Sequence, residues 1–147
     1  KDPNELSGGQ RQRVAFASII SMDAQILVID EPTSQLDPEG TEDVFQIIET
    51  LKSSDKTIIL VEHKIDLIAE YCDEIIVMNE GSIVFSGPTH EILCKPELLE
   101  HGAVIPQTAV FGLEMEKAGK PLERIPITIS EAISLIEAKR NNNGHRD

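Results

Sequence analysis

The chain has 147 residues, 40% hydrophobic, 27% charged and only 3% aromatic, with a formal net charge of −13. This composition fits one globular domain, or one domain with a small appendage. The acidity excludes a nucleic-acid surface or an electrostatic grip on anionic lipid, because both need clustered Lys and Arg.

The first feature in the chain is Leu6-Ser7-Gly8-Gly9-Gln10, a turn feeding a helix expected to run to about Ser21. Val14, Ala17 and Ile20 fall on one face of that helix, with Phe16 beside them. The run Gln25–Asp30 (QILVID) is continuously apolar and ends in carboxylates, as a parallel strand buried on both faces does. A Pro/Ser loop follows, and Asp37 is placed to cap a helix starting at Pro38. That helix is expected to bury Val44, Ile47, Ile48 and Leu51. Lys56–His63 (KTIILVEH) reads as a second buried strand, and about Ile65–Tyr71 as a short helix. Next comes an antiparallel hairpin around Asn79-Glu80-Gly81. The order up to Gly87 predicts an α/β fold with parallel central strands and an antiparallel edge.

Beyond Pro88 the pattern changes to short helical turns on either side of Pro96. A helix is expected between Pro106 and Ala118, and a final one through Ile129, Ala132, Ile133 and Ile136. Thr128 and Glu131 have the spacing of a capping box at its start. The Asn-rich end, residues 141–147, reads as a disordered tail. No apolar run has the length of a membrane span, so any link to a membrane is expected to come through a partner protein. Cys72 and Cys94 have no metal-ligand spacing and read as ordinary half-buried thiols of a reducing, cytosolic compartment.

Three places carry candidate chemistry. Ser7, Gly8 and Gly9 open a helix, where unpaired amides and the dipole favour an anion and glycine lets a phosphate approach. An ordinary Ser cap is the alternative. Asp30 and Glu31 stand at the carboxyl end of a parallel strand, where α/β sheets bind ligands. One carboxylate could hold Mg²⁺ while the other activates water, or both could simply cap nearby amides. His63 ends the next strand on the same edge, with the loop of Asp37 between. It is either a structural histidine or a donor to phosphate.

In this order and spacing, LSGGQRQRV, ILVIDEPTSQLD and VEH resemble the signature, the Walker B strand with its D-loop, and the H-loop of ATP-binding cassette (ABC) transporter ATPases. The likeness covers Asn4 to about Gly87 and implies a partial P-loop NTPase fold with a mostly helical C-terminal extension. It implies that Asp30 helps hold Mg²⁺, that Glu31 polarises the attacking water, and that His63 contacts the γ-phosphate. It further implies that Asp37 lies at a dimer interface. Ser7, Gly8, Gly9 and Gln10 would close over ATP held by a second ATPase subunit, in a homo- or heterodimer. An integral membrane component and a peripheral place on the cytoplasmic face of the cell membrane come with the family; nucleic acid does not.

The departures matter as much. No G-x-x-x-x-G-K-[ST] loop is present: Gly119-Lys120 is followed by Pro121, and Glu114 stands where the first glycine belongs. Ser18 and Gln35 replace the family's more usual residues. The chain is therefore expected to be the C-terminal part of a longer ATPase, inactive by itself and prone to self-association through exposed sheet. Residues 1–87 would be the ATPase portion and 88–140 the extension, which either helps pair two ATPase subunits or covers the core. The region from Val61 to the PITISEA segment resembles energy-coupling-factor and cobalt/nickel-type importers. The alternatives are a soluble ABC-type ATPase of repair or translation, and a non-catalytic half-cassette serving dimerisation.

Overall fold

Two strand pairs with helices laid beside them organise the chain, as seen in a computed structural model that describes residues 6, 8–21, 24–34, 36–52 and 56–143. Ser7, Gln35 and residues 144–147 lie outside the described residues. The chain groups into two compact units, Lys1–His63 and Lys64–Asp147.

The first unit runs α1 (Gly8–Ser21), β1 (Ile26–Asp30), α2 (Pro38–Lys52) and β2 (Thr57–Val61). The strands pair in parallel, with Ile26 opposite Thr57 and Asp30 opposite Val61. Asp37 caps α2 as its spacing predicts: its Oδ1 accepts the Gly40 N–H at 2.8 Å. Its carbonyl also accepts the first helical bond, from Thr41 N–H at 2.9 Å. α2 lies against β2 and α1, and Arg13 of α1 pairs with Asp43 at 2.6 Å. Its buried stripe is Val44, Phe45, Ile48 and Leu51. Phe45 joins this stripe and Ile47 is only half-buried, so the centre of the stripe lies further toward Phe45 than the spacing predicts.

The expectation of strands buried on both faces is corrected. Leu27 and Ile29 are buried, but Ile26 and Val28 are 63% and 67% exposed, and Ile59 and Val61 share that open face. Side chains alternate across a strand, and the described residues of this unit cover one face only. Similarly, α1 buries Phe16, whereas Val14 and Ala17 are exposed.

The second unit begins with α3 (Ile65–Tyr71) and the antiparallel hairpin of β3 (Glu74–Asn79) and β4 (Ser82–Pro88). This hairpin is a two-stranded sheet of its own among the described residues. Glu80 and Gly81, with φ of 48° and 76°, form the two-residue turn, whose positive dihedrals match the twist of the strands. A bulge between Val77 and Met78 shifts the register. There follow α4 (Thr89–Leu93), a 3-10 helix (Pro96–His101), α5 (Gln107–Lys117) and α6 (Ile129–Asn143). The core gathers Ala69, Ile92, Leu93, Leu98, Ile105 and Ile127.

At the start of α6 the Thr128 hydroxyl accepts the Glu131 N–H at 3.2 Å. The Glu131 carboxylate reaches back to the Ile127 N–H at 2.9 Å, one residue earlier than in a standard capping box. α6 buries Ala132 but leaves Ile129, Ile133 and Ile136 exposed, against the core role expected of them. It also extends to Asn143, so residues 141–143 of the expected tail are helical.

Candidate functional site

The carboxyl edge of the β1–β2 pair brings two of the expected residues into contact. His63 Nε2 and Glu31 Oε1 are 2.9 Å apart. Parallel pairing in register is the cause: Asp30 is opposite Val61, so the residues just beyond each strand end emerge side by side. The pair is open to solvent, with the His63 and Glu31 side chains 79% and 45% exposed. Glu31 leaves the strand with φ 43°, in the left-handed region that non-glycine residues seldom adopt. Its N–H still donates to Val61 O at 2.9 Å, and its carbonyl accepts the Ser34 N–H at 3.3 Å.

Asp30 belongs to the face of Ile26 and Val28 and is exposed. Asp37 is committed to its cap on α2. Among the described residues no three His, Cys, Asp or Glu side chains cluster as a metal cage. Asp30 and Glu31, adjacent at the strand end, could offer one or two carboxylates to a cation. That suits Mg²⁺, which commonly keeps water and phosphate oxygens and takes one or two carboxylates.

Of the Ser-Gly-Gly turn, Ser7 lies outside the described residues, and α1 begins at Gly8. Gln10 is exposed on the first turn of α1. Among the described residues, an added Cβ at Gly9 would meet Leu36 Cδ2 at 3.8 Å and Arg13 Nη2 at 4.0 Å. These are ordinary contacts, so packing in the described chain does not demand a glycine there. A shallow cavity of about 350 Å³ lined by Arg13, Asp43, Gln46, Ile47 and Thr50 contains none of the expected site residues.

Glu62 and Thr33 are not among the residues expected from the motifs. Thr33 is buried, 1% exposed, and its hydroxyl donates to Glu62 Oε2 at 2.8 Å. Glu62 Oε1 accepts the His63 N–H at 2.8 Å. One signal was available: a carboxylate ending an apolar strand beside a candidate histidine.

The comparisons with known proteins agree with the motif order. A family profile described as ABC transporter matches residues 1–34. The energy-coupling factor transporter ATP-binding protein EcfA2 of Clostridium perfringens is 42% identical over 146 residues, covering 97% of this chain and 51% of that protein. EcfA2 of Lactococcus lactis subsp. cremoris is 35% identical over 146 residues, with coverages of 98% and 51%. Among solved structures, cbiO1 of Clostridium perfringens, described as part of the ABC transporter complex cbiONQ, superposes with a TM-score of 0.56 at 32% identity. It covers 79% of this chain and 43% of its own. A nucleotide-free ATP-binding cassette from an ABC transporter gives a TM-score of 0.60 at 29% identity, with coverages of 68% and 41%. The chain spans about half the length of the curated relatives it matches. With the signature, Walker B and H-loop sequences in order, the chain is similar in sequence and in fold to the ATP-binding proteins of ABC transporters.

Proposed function

We propose that this chain is the signature-bearing part of an ABC transporter ATP-binding subunit, working on ATP that a P-loop outside the chain holds. The observation that carries this reading is the Glu31–His63 contact of 2.9 Å at the carboxyl edge of the parallel strands. An exposed carboxylate beside an imidazole can take a proton from water while the ring faces a phosphate. Glu31 is the base in this account, and His63 orients it and donates to the γ-phosphate. Asp30 would help hold Mg²⁺, which supplies charge neutralisation on the phosphates when bound.

Ser7, Gly8, Gly9 and Gln10 would close on the γ-phosphate of ATP bound by a second ATPase subunit. Gly9 supports this role. A helical glycine costs roughly 0.5–1 kcal/mol relative to alanine, and Gly9 has room for a Cβ within the described chain. Close approach by something outside gives the glycine a purpose. Asp37 would lie at the interface of the two subunits and couple their sites.

The bare apolar face of Ile26, Val28, Ile59 and Val61 is what half of a larger sheet exposes, and the matched relatives are about twice as long. Without a P-loop the chain alone is inactive. The ATPase portion would occupy residues 1–87, with the region from 88 to 140 as its helical extension and a tail beyond. The relatives named as energy-coupling factor proteins favour an importer: a dimer of ATPase subunits bound peripherally, at the cytoplasmic face, to an integral membrane component. The test is Glu31→Gln in the longer protein that carries this segment. ATP binding should persist and turnover should vanish, whereas surviving hydrolysis would overturn the assignment of the base.

A further inference from the structure

We propose that Glu62 is a positioning residue whose carboxylate clamps the loop behind Glu31 to the backbone of His63. A contact as open to water as Glu31–His63 contributes little to holding its own geometry. Glu31 also sits at φ 43°, a conformation that costs on the order of 1 kcal/mol and persists only where the surroundings impose it. Beside the backbone bonds of Glu31 to Val61 and Ser34, Glu62 supplies two further contacts that tie the two segments together.

Its two oxygens divide between the two segments. Oε2 accepts the buried Thr33 hydroxyl at 2.8 Å, two residues beyond Glu31. Oε1 accepts the His63 N–H at 2.8 Å. One carboxylate thus reaches within two residues of both members of the pair, across a sequence separation of 29 residues for the Thr33 bond. Hydrogen bonds to an ionised acceptor are shorter and stronger than neutral ones, and burial of Thr33 shields this one from competing water. The side chains of the pair stay exposed while the backbone segments that carry them are tied together.

The catalytic part of this inference rests on the proposed ATPase function, so the test has two independent readouts. Glu62→Gln should preserve the clamp: the amide oxygen accepts from His63 N–H, and the amide nitrogen donates to a reoriented Thr33 hydroxyl. Glu62→Ala removes both bonds, and Thr33→Val removes one while nearly conserving volume. In this chain, hydrogen exchange of the His63 amide, followed by NMR, should accelerate at least tenfold in Glu62→Ala and stay near wild type in Glu62→Gln. Thr33→Val should lie between them.

In the longer protein, Glu62→Ala should lower kcat for ATP at least tenfold with KM within twofold, and Glu62→Gln should keep kcat within threefold. Unchanged His63 exchange in Glu62→Ala would overturn the clamp whatever the activity. A Glu62→Gln kcat as low as that of Glu62→Ala would also overturn it, because the charge itself would then be at work. If the wild-type longer protein hydrolyses no ATP, the functional reading fails while amide exchange still judges the clamp.

Discussion

Replacing Gly9 by alanine separates what the glycine does for folding from what it does for an outside ligand. The added Cβ would lie 3.8 Å from Leu36 Cδ2 and 4.0 Å from Arg13 Nη2, so it meets no clash among the described residues. Alanine is favoured over glycine in a helix by up to about 1 kcal/mol. Gly9 is the second residue of α1, so the gain should sit near the lower end, about 0.5 kcal/mol. With a urea m-value of roughly 1.5 kcal/mol/M, the midpoint of unfolding should rise by about 0.3 M.

Gly112→Ala is the contrasting control. There the Cβ would fall 2.8 Å from Pro126 Cδ and 3.1 Å from Ile125 Cγ2. Overpacking of roughly 1–3 kcal/mol outweighs the helical gain, and the midpoint should fall by about 0.7 M. In the longer protein, Gly9→Ala should cut ATP turnover severely in spite of its neutral or stabilising effect on the fold. A loss of stability beyond about 1 kcal/mol would refute the reasoning, since the glycine would then serve internal packing. So would full activity, since nothing outside would need the close approach.

Asp37→Ala leaves the Gly40 N–H without its 2.8 Å acceptor and should cost about 1 kcal/mol in urea unfolding; Asp37→Asn should restore most of it. Burial pushes the Cys94 thiol up to about 11, with the Glu131 charge adding to the effect and Arg124 opposing it. A raised thiol pKa means less thiolate, so iodoacetamide at pH 8 should label Cys94 about a hundredfold more slowly than a thiol at its ordinary pKa of 9.0. Peptide mapping should show the rate still climbing above pH 10, and a plateau reached by pH 10 would contradict the assignment.

Local chemistry was the most legible part of the sequence. The Asp37 cap, the Glu80-Gly81 turn and the extent of α3 each depend on a few neighbouring residues, and all three stand where their residue types put them. The strand-end location of Glu31 and His63 was legible as well, because parallel pairing of two apolar runs brings their carboxyl ends to one edge.

Burial was less legible. Val28, Ile59 and the isoleucines of α6 have the hydrophobicity of core residues, yet they are exposed. Hydrophobic pattern records that a face is to be covered, and the cover need not lie within the same segment. The Thr33–Glu62 bond was not legible at all, since it joins residues 29 apart through a loop geometry that no local pattern encodes.

The most direct measurement is isothermal titration of this chain with Mg-ATP. If the chain contributes the signature, Walker B and H-loop parts of a site whose P-loop lies elsewhere, the titration gives no saturable heat up to millimolar nucleotide. Saturable binding with a micromolar Kd would contradict that account and require a nucleotide-holding element within these 147 residues.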